Sequence, residues 1–163
     1  MTVAAAAPST LLVAGIGEMV FSSSPDSHLV AYGLGSCVAL AAWDPTSGVG
    51  GLAHFMLPSG PTNGSGPVKF IDSGLDNFLT ALESRGAVAS RVVLKAAGAA
   101  SMLAIGSGLA IGTRNAESIQ AGLTARGLKL TAVALGGTAG RTVQLEVGDG
   151  RFVVKSLSTV TEL

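Results

Sequence analysis

The chain is poor in the residue types that mark redox, metal and nucleic-acid chemistry. It has one cysteine, Cys37, in 163 residues. That excludes an intramolecular disulfide and any thiolate-cluster metal site. Its two histidines, His28 and His54, lack the HExxH spacing and leave little for zinc, so no cofactor is expected. Charged residues make up 12% and aromatics 4%, and ten basic residues offset ten acidic ones. With no basic stripe and few rings to stack on bases, nucleic-acid binding is not expected. Long apolar runs are also missing. The most apolar stretch, 98–111, is broken by Ser101, Gly106, Ser107 and Gly108, and is too short to span a bilayer. No Lys or Arg precedes the alanine run at the N-terminus, where a secretory leader carries positive charge. The expectation is a cytoplasmic protein with no membrane insertion.

Apolar residues are abundant at 48%, and there are 23 glycines, many beside small residues at expected strand ends. The length suits one core. Residues 1–10 read as a flexible tail and 11–163 as a single domain. Strands are expected over 11–21, 28–34, 37–43 and 50–57, the last two flanking the hairpin-loop residues Asp44-Pro45-Thr46-Ser47-Gly48. Residues 58–67, rich in Gly, Pro, Ser and Asn, read as a loop. Ile71, Leu75, Phe78, Leu79 and Leu82 recur at helical spacing. Asp72 and Ser73 are placed to cap that helix, and Gly86 to end it in a left-handed conformation. A strand over 91–97 follows, then a helix from about 115 to 126 with Ile119 and Leu123 inward and Gly127 as its stop. Short strands over 128–135, 141–147 and 151–155 are separated by Gly136-Gly137 and Gly148-Asp149-Gly150. This order favours a mixed α+β domain over a doubly wound parallel sheet.

The segment Gly33-Leu34-Gly35-Ser36-Cys37 places the only thiol after a glycine-bracketed bend. Such a bend can leave N–H groups, those of Gly35 and Ser36 among them, free to stabilise an oxyanion or position a substrate. The thiol needs a base, because an ordinary cysteine is mostly protonated near neutral pH. Hairpin counting points to His54. If Asp44 to Ser47 form a four-residue loop, Trp43 faces Gly48 and Cys37 falls opposite His54. A one-residue slip would turn His54 to the other face of the sheet. An activated Cys37 would alkylate well below the pH of a free thiol. The plain alternatives are an inert buried cysteine and a structural histidine.

On these residues the sequence resembles the CheD family, the chemoreceptor glutamine deamidases. The resemblance runs through nearly the whole chain after the tail. It is carried by Gly33-Leu34-Gly35-Ser36-Cys37-Val38, Trp43-Asp44-Pro45 and Gly50-Gly51-Leu52-Ala53-His54-Phe55-Met56-Leu57-Pro58. Weaker blocks are Lys69-Phe70-Ile71-Asp72, Ile111-Gly112-Thr113-Arg114-Asn115 and Gly136-Gly137-Thr138-Ala139-Gly140-Arg141. It implies an α/β sandwich with a mixed sheet core and flanking helices. It also implies a Cys37 nucleophile and a His54 base that deaminate glutamines of methyl-accepting chemotaxis receptors through a thioester. Family members also bind CheC, a phosphatase of the response regulator CheY, in competition with receptor. The sequence departs from the family pattern at two places. A threonine expected six residues before the cysteine, where it would help orient the histidine, is Ala31; either a backbone carbonyl holds the histidine instead or activity is reduced. An expected Phe-Gly-Gly-Ala is Ala96-Ala97-Gly98-Ala99.

Other residues read more plainly. Asp72 is a helix cap rather than a catalytic acid. Arg114-Asn115 opens the second helix, a polar contact near the site being the alternative. Gly136 to Arg141 precedes a strand and is no dinucleotide fingerprint. Arg141 is structural, or else binds a partner carboxylate, and His28 is structural or on the surface. Against the deamidase stand a CheD-like binding module without turnover, which Ala31 favours, and a redox-sensing cysteine protein, which the lack of a resolving thiol disfavours.

Overall fold

The computed structural model describes residues 8–61, 64, 66–101 and 110–163. In chain order the elements are β1 (Thr10–Val13), β2 (Met19–Ser22), β3 (Ser27–Leu34), β4 (Val38–Trp43), β5 (Gly50–Phe55), α1 (Ile71–Ser84), β6 (Val93–Gly98), α2 (Ala110–Ala125), β7 (Leu130–Leu135), β8 (Arg141–Glu146), β9 (Phe152–Lys155) and β10 (Val160–Glu162). The mixed α+β expectation holds, with two sheets at the core. One runs β1-β3-β8-β9-β10 and the other β2-β5-β4-β6-β7, and each mixes parallel and antiparallel pairs.

The two sheets pack face to face, and α1 and α2 cover the far face of the second. The central strands β4 and β5 are therefore buried on both sides, which explains why they are apolar apart from His54. Val38, Leu40, Ala42, Ala53 and Phe55 meet Leu75, Phe78, Leu82, Ile119 and Leu123 on the helix side. Cys37, Ala39, Ala41 and Leu52 face the first sheet and meet Leu29, Ala31, Val143, Leu145 and Phe152. Small alanines on this inner face let the two sheets approach closely. No helix among the described residues is long and apolar enough to cross a membrane.

Several boundaries differ from the sequence expectation. The strand expected over 11–21 is two strands in different sheets, because the chain crosses between layers at residues 14–18. Thr10, counted in the expected tail, pairs with Ser27 in β1, and residues 1–7 of that tail lie outside the described chain. So do residues 62, 63 and 65 of the expected loop and 102–109 of the apolar stretch. The N-cap of α1 is Phe70, not Asp72 or Ser73, and no side chain caps it. Asp72 instead accepts the Ser73 N–H at 2.8 Å from within the first turn. Gly86 does end the helix at φ 101°. Helix α2 begins at Ala110, earlier than its periodicity suggests, and β10 was not expected.

The hairpin between β4 and β5 is the most consequential difference. Its loop spans 44–49, so Trp43 pairs with Gly50 rather than Gly48. Asp44 sets this length. Its carboxylate is buried and accepts the N–H groups of Thr46 (2.9 Å), Ser47 (3.3 Å) and Val88 (2.9 Å), together with Arg91 Nη2 (2.9 Å). Trp43 Nε1 donates to Val147 O at 2.8 Å and ties the hairpin to the first sheet.

The Arg91 guanidinium and these N–H groups hold the Asp44 carboxyl well below the usual carboxylate range. A depressed folded-state value stabilises the protein above the unfolded-state value, near 4, and that contribution fades as pH falls further. Asp44→Ala leaves buried donors unpaired and is expected to cost about 2–3 kcal/mol, moderated by the partial exposure of Arg91. Urea titrations should show this gap at neutral pH and show it narrowing below about pH 4.

Candidate active site

Cys37 precedes β4, and His54 lies near the end of β5. Observed pairing sets Ala39, not Cys37, opposite His54. The expected direct opposition is therefore wrong by two positions. A two-residue slip preserves the face, because side chains alternate with period two. Cys37 and His54 both face the layer between the sheets, as diagonal neighbours rather than an opposed pair. Such neighbours sit about 7–8 Å apart, against about 5 Å for an opposed pair.

His54 is held in a cage of backbone. Its own N–H donates to Glu18 O at 3.0 Å, and its carbonyl accepts from Gly17 at 2.9 Å. Its ring Nδ1 lies 3.1 Å from Ala14 O, an acceptor only, so Nδ1 carries the proton. Ala14 is itself fixed by donating to Val30 O at 2.8 Å. The bare Nε2 is buried and has no partner among the described residues. Burial pushes the His54 pKa down, against smaller upward pulls from Ala14 O and the Glu18 charge. The ring is therefore neutral near pH 7, with an available lone pair on Nε2. Ala31, where the family pattern has threonine, is a fully buried alanine in the same inter-sheet layer. The orienting group for the imidazole is a main-chain carbonyl.

The residues before Cys37 are pinned through their carbonyls. Gly35 O accepts from Ala100 N–H at 2.9 Å, Ser36 O from Asn115 Nδ2 at 2.8 Å, and Cys37 O from Ala99 N–H at 2.7 Å. In a trans peptide the N–H points opposite to the C=O. The first two bonds thus aim the N–H groups of Ser36 and Cys37 away from the segment that holds the carbonyls. Gly98 makes this approach possible. A Cβ there would lie 2.2 Å from Cys37 O, and its φ is +114°. Next to it, Ala99 has a positive φ of 57°, an uncommon conformation for alanine.

Burial pushes the Cys37 thiol up, only partly opposed by its own backbone N–H. This reverses the expectation of a thiol already activated at rest. The free site holds a neutral thiol and a neutral imidazole, which suits proton transfer during attack.

Arg141 donates to Gly98 O at 2.7 Å and Gly136 O at 2.8 Å, which is the structural role expected for it. His28 pairs with Glu146, its cross-strand neighbour within the first sheet, whereas His54 belongs to the second. Sequence reasoning missed Ala14, whose contribution is only a carbonyl. It touched on Asn115 only as a helix opener with a polar contact nearby.

A family model described as "CheD chemotactic sensory transduction" matches residues 56–156, a stretch that begins just after His54. Three curated relatives share the name probable chemoreceptor glutamine deamidase CheD. The one from Symbiobacterium thermophilum is 41% identical, over 88% of this chain and 90% of its own. That from Solibacter usitatus is 35% identical, over 93% and 92%. That from the archaeon Archaeoglobus fulgidus is 38% identical, over 88% and 92%.

Two measurements follow from this geometry. The rate of Cys37 labelling by iodoacetamide, followed against pH, should reach half-maximum at or above the ordinary thiol value of about 8.5. Gly98→Ala should lower stability by about 2 kcal/mol or more, from the close contact and the positive φ together, as read by denaturant unfolding.

Proposed function

The chain belongs to the CheD family, and from that premise we infer that it is a cysteine-dependent protein-glutamine deamidase acting on chemoreceptors. The relatives' names supply the substrate class. The observation that carries the mechanism is the buried imidazole of His54, with Nδ1 committed to Ala14 O and Nε2 bare, in the layer that also holds the only thiol.

Cys37 Sγ attacks the carboxamide carbon of a receptor glutamine while its proton passes to His54 Nε2. The carbonyl π pair moves to oxygen, and the N–H groups of Ser36 and Cys37 stabilise the resulting oxyanion. Collapse breaks the C–N bond, and His54 returns its proton to the departing nitrogen, releasing ammonia. Water then attacks the thioester carbon and gives a proton to His54. The C–S bond breaks, glutamate is released and the thiol recovers its proton. A neutral side chain thus becomes a methylatable carboxylate. Both partners start neutral, so the rate depends on proton transfer during attack and not on a standing thiolate. The reaction belongs in the cytoplasm, where receptor signalling bundles lie. CheC is a second candidate partner at the same face.

Ala31 sustains a second reading, in which the fold binds receptor or CheC without turnover. Incubation with a purified receptor cytoplasmic domain, read by peptide mass spectrometry, separates the two. Glutamine-to-glutamate conversion is expected with the natural sequence and not with Cys37→Ala. Binding without conversion above that control would sink the enzyme reading. His54→Gln should lower kcat by about 10²–10⁴-fold, the usual worth of a general base. Because burial lowers the His54 pKa, the acid limb of kcat/KM should fall off below the ordinary imidazole value of about 6.5.

A further inference from the structure

Asn115 lies in the second turn of α2 with its side chain fully buried. Its Nδ2 donates to Ser36 O at 2.8 Å and to Met56 O at 2.9 Å. Both amide protons are used, which fixes which end of the carboxamide is nitrogen. Oδ1 is buried with no partner among the described residues. An unpaired buried acceptor is disfavoured, so a residue serving only to pack this helix would be apolar. The amide instead joins the residue before Cys37 to the residue two beyond His54. It is the one side chain among the described residues that bonds to both strand ends carrying the dyad. The Ser36 carbonyl it holds shares a peptide plane with the Cys37 N–H.

We propose that Asn115 is a positioning residue for Cys37, orienting the Ser36–Cys37 peptide so that the Cys37 N–H donates to the oxygen of a carbonyl bonded to Sγ. This rests on Cys37 being the nucleophile. Asn115 does not touch substrate. It sets the direction of a donor that does, and the Met56 bond keeps that donor in register with His54.

Two electrophiles separate positioning from general structural support. Iodoacetamide loses iodide to the thiol and builds no charge on a carbonyl oxygen, so it reports access to the sulfur. A short aliphatic aldehyde, the carbonyl analogue of a glutamine side chain, adds reversibly. The S–C bond forms, the thiol proton ends on the carbonyl oxygen, and that oxygen occupies the oxyanion position. Because Cys37 is the only cysteine, aldehyde protection against labelling gives an affinity without any receptor.

Asn115→Leu keeps the number of side-chain heavy atoms and the branching at Cγ while deleting both donors and the unpaired acceptor. In the full chain it should raise the aldehyde concentration for half-protection by at least about tenfold, with the unprotected labelling rate within about twofold. An unchanged aldehyde affinity, or an equal loss with both reagents, overturns the proposal. If the variant does not fold, side-chain amide NMR signals of the natural sequence decide. Aldehyde addition must shift those of Asn115, and no shift overturns it equally. Receptor conversion assayed in parallel keeps the two readings apart. Asn115-dependent protection without glutamine conversion removes the substrate and leaves the positioning role. Conversion with Asn115-independent protection does the reverse.

Discussion

Desolvation of polar groups on β4 and β5 governs both the architecture and the chemistry. These strands lie between a second sheet and a helical layer, so water does not reach either face. A polar group there must find a protein partner or bear a cost of about 1–3 kcal/mol. His54 meets the demand at one ring nitrogen, through Ala14 O. The other nitrogen stays unpaired, and so does Asn115 Oδ1. Both orphans belong to side chains that bond to the backbone around Cys37 and His54. In a core of aliphatic and phenylalanine side chains, the unpaired buried side-chain polarity among the described residues gathers where the chemistry is proposed.

The same burial decides the protonation states. Desolvation disfavours the thiolate and the imidazolium alike. It raises the Cys37 pKa and lowers that of His54, and neither shift is offset by a charged neighbour close enough to reverse it. The resting pair is neutral, in contrast with a preformed thiolate–imidazolium couple. In the proposed reaction charge then develops only during attack, where the N–H groups of Ser36 and Cys37 would meet it. A site built this way gains nothing from ion pairing before substrate arrives. Its rate depends on how well the donors are aimed.

Periodicity made the element order readable, because strands and helices bury apolar residues at fixed spacings. Ile71, Leu75, Phe78 and Leu82 do line the buried face of α1. The hairpin register was not readable to the residue. Asp44 binds N–H groups at 46, 47 and 88 and the Arg91 side chain, and the longer loop follows from contacts far apart in sequence. The split at 14–18 was hidden for a similar reason, since a crossing between sheets leaves the apolar pattern on both sides intact. At the site, Cys37 and His54 stood out because thiol and imidazole are rare here. Face parity survived the slip in register because it was an even number of residues. Ala14 gave no signal, as a backbone acceptor can belong to any residue. Asn115 gave only a polar residue early in a helix, with nothing to say which carbonyls it would reach.

The Ala14 carbonyl also bears on how firmly the His54 imidazole is held. A threonine hydroxyl can rotate, and as both donor and acceptor it supports either imidazole tautomer. A main-chain carbonyl accepts only, so it supports one. It is also attached to the segment that links the two sheets. Ala14 N–H bonds to Val30 in the first sheet, while Gly17 and Glu18 bond to the backbone of His54 in the second. Displacing the first sheet relative to the second would move the acceptor away from Nδ1. The tautomer of His54 is thus fixed by sheet packing instead of by a replaceable side chain. An alanine at position 31 is then compatible with an oriented imidazole, because the crossing that assembles the fold supplies an acceptor for Nδ1.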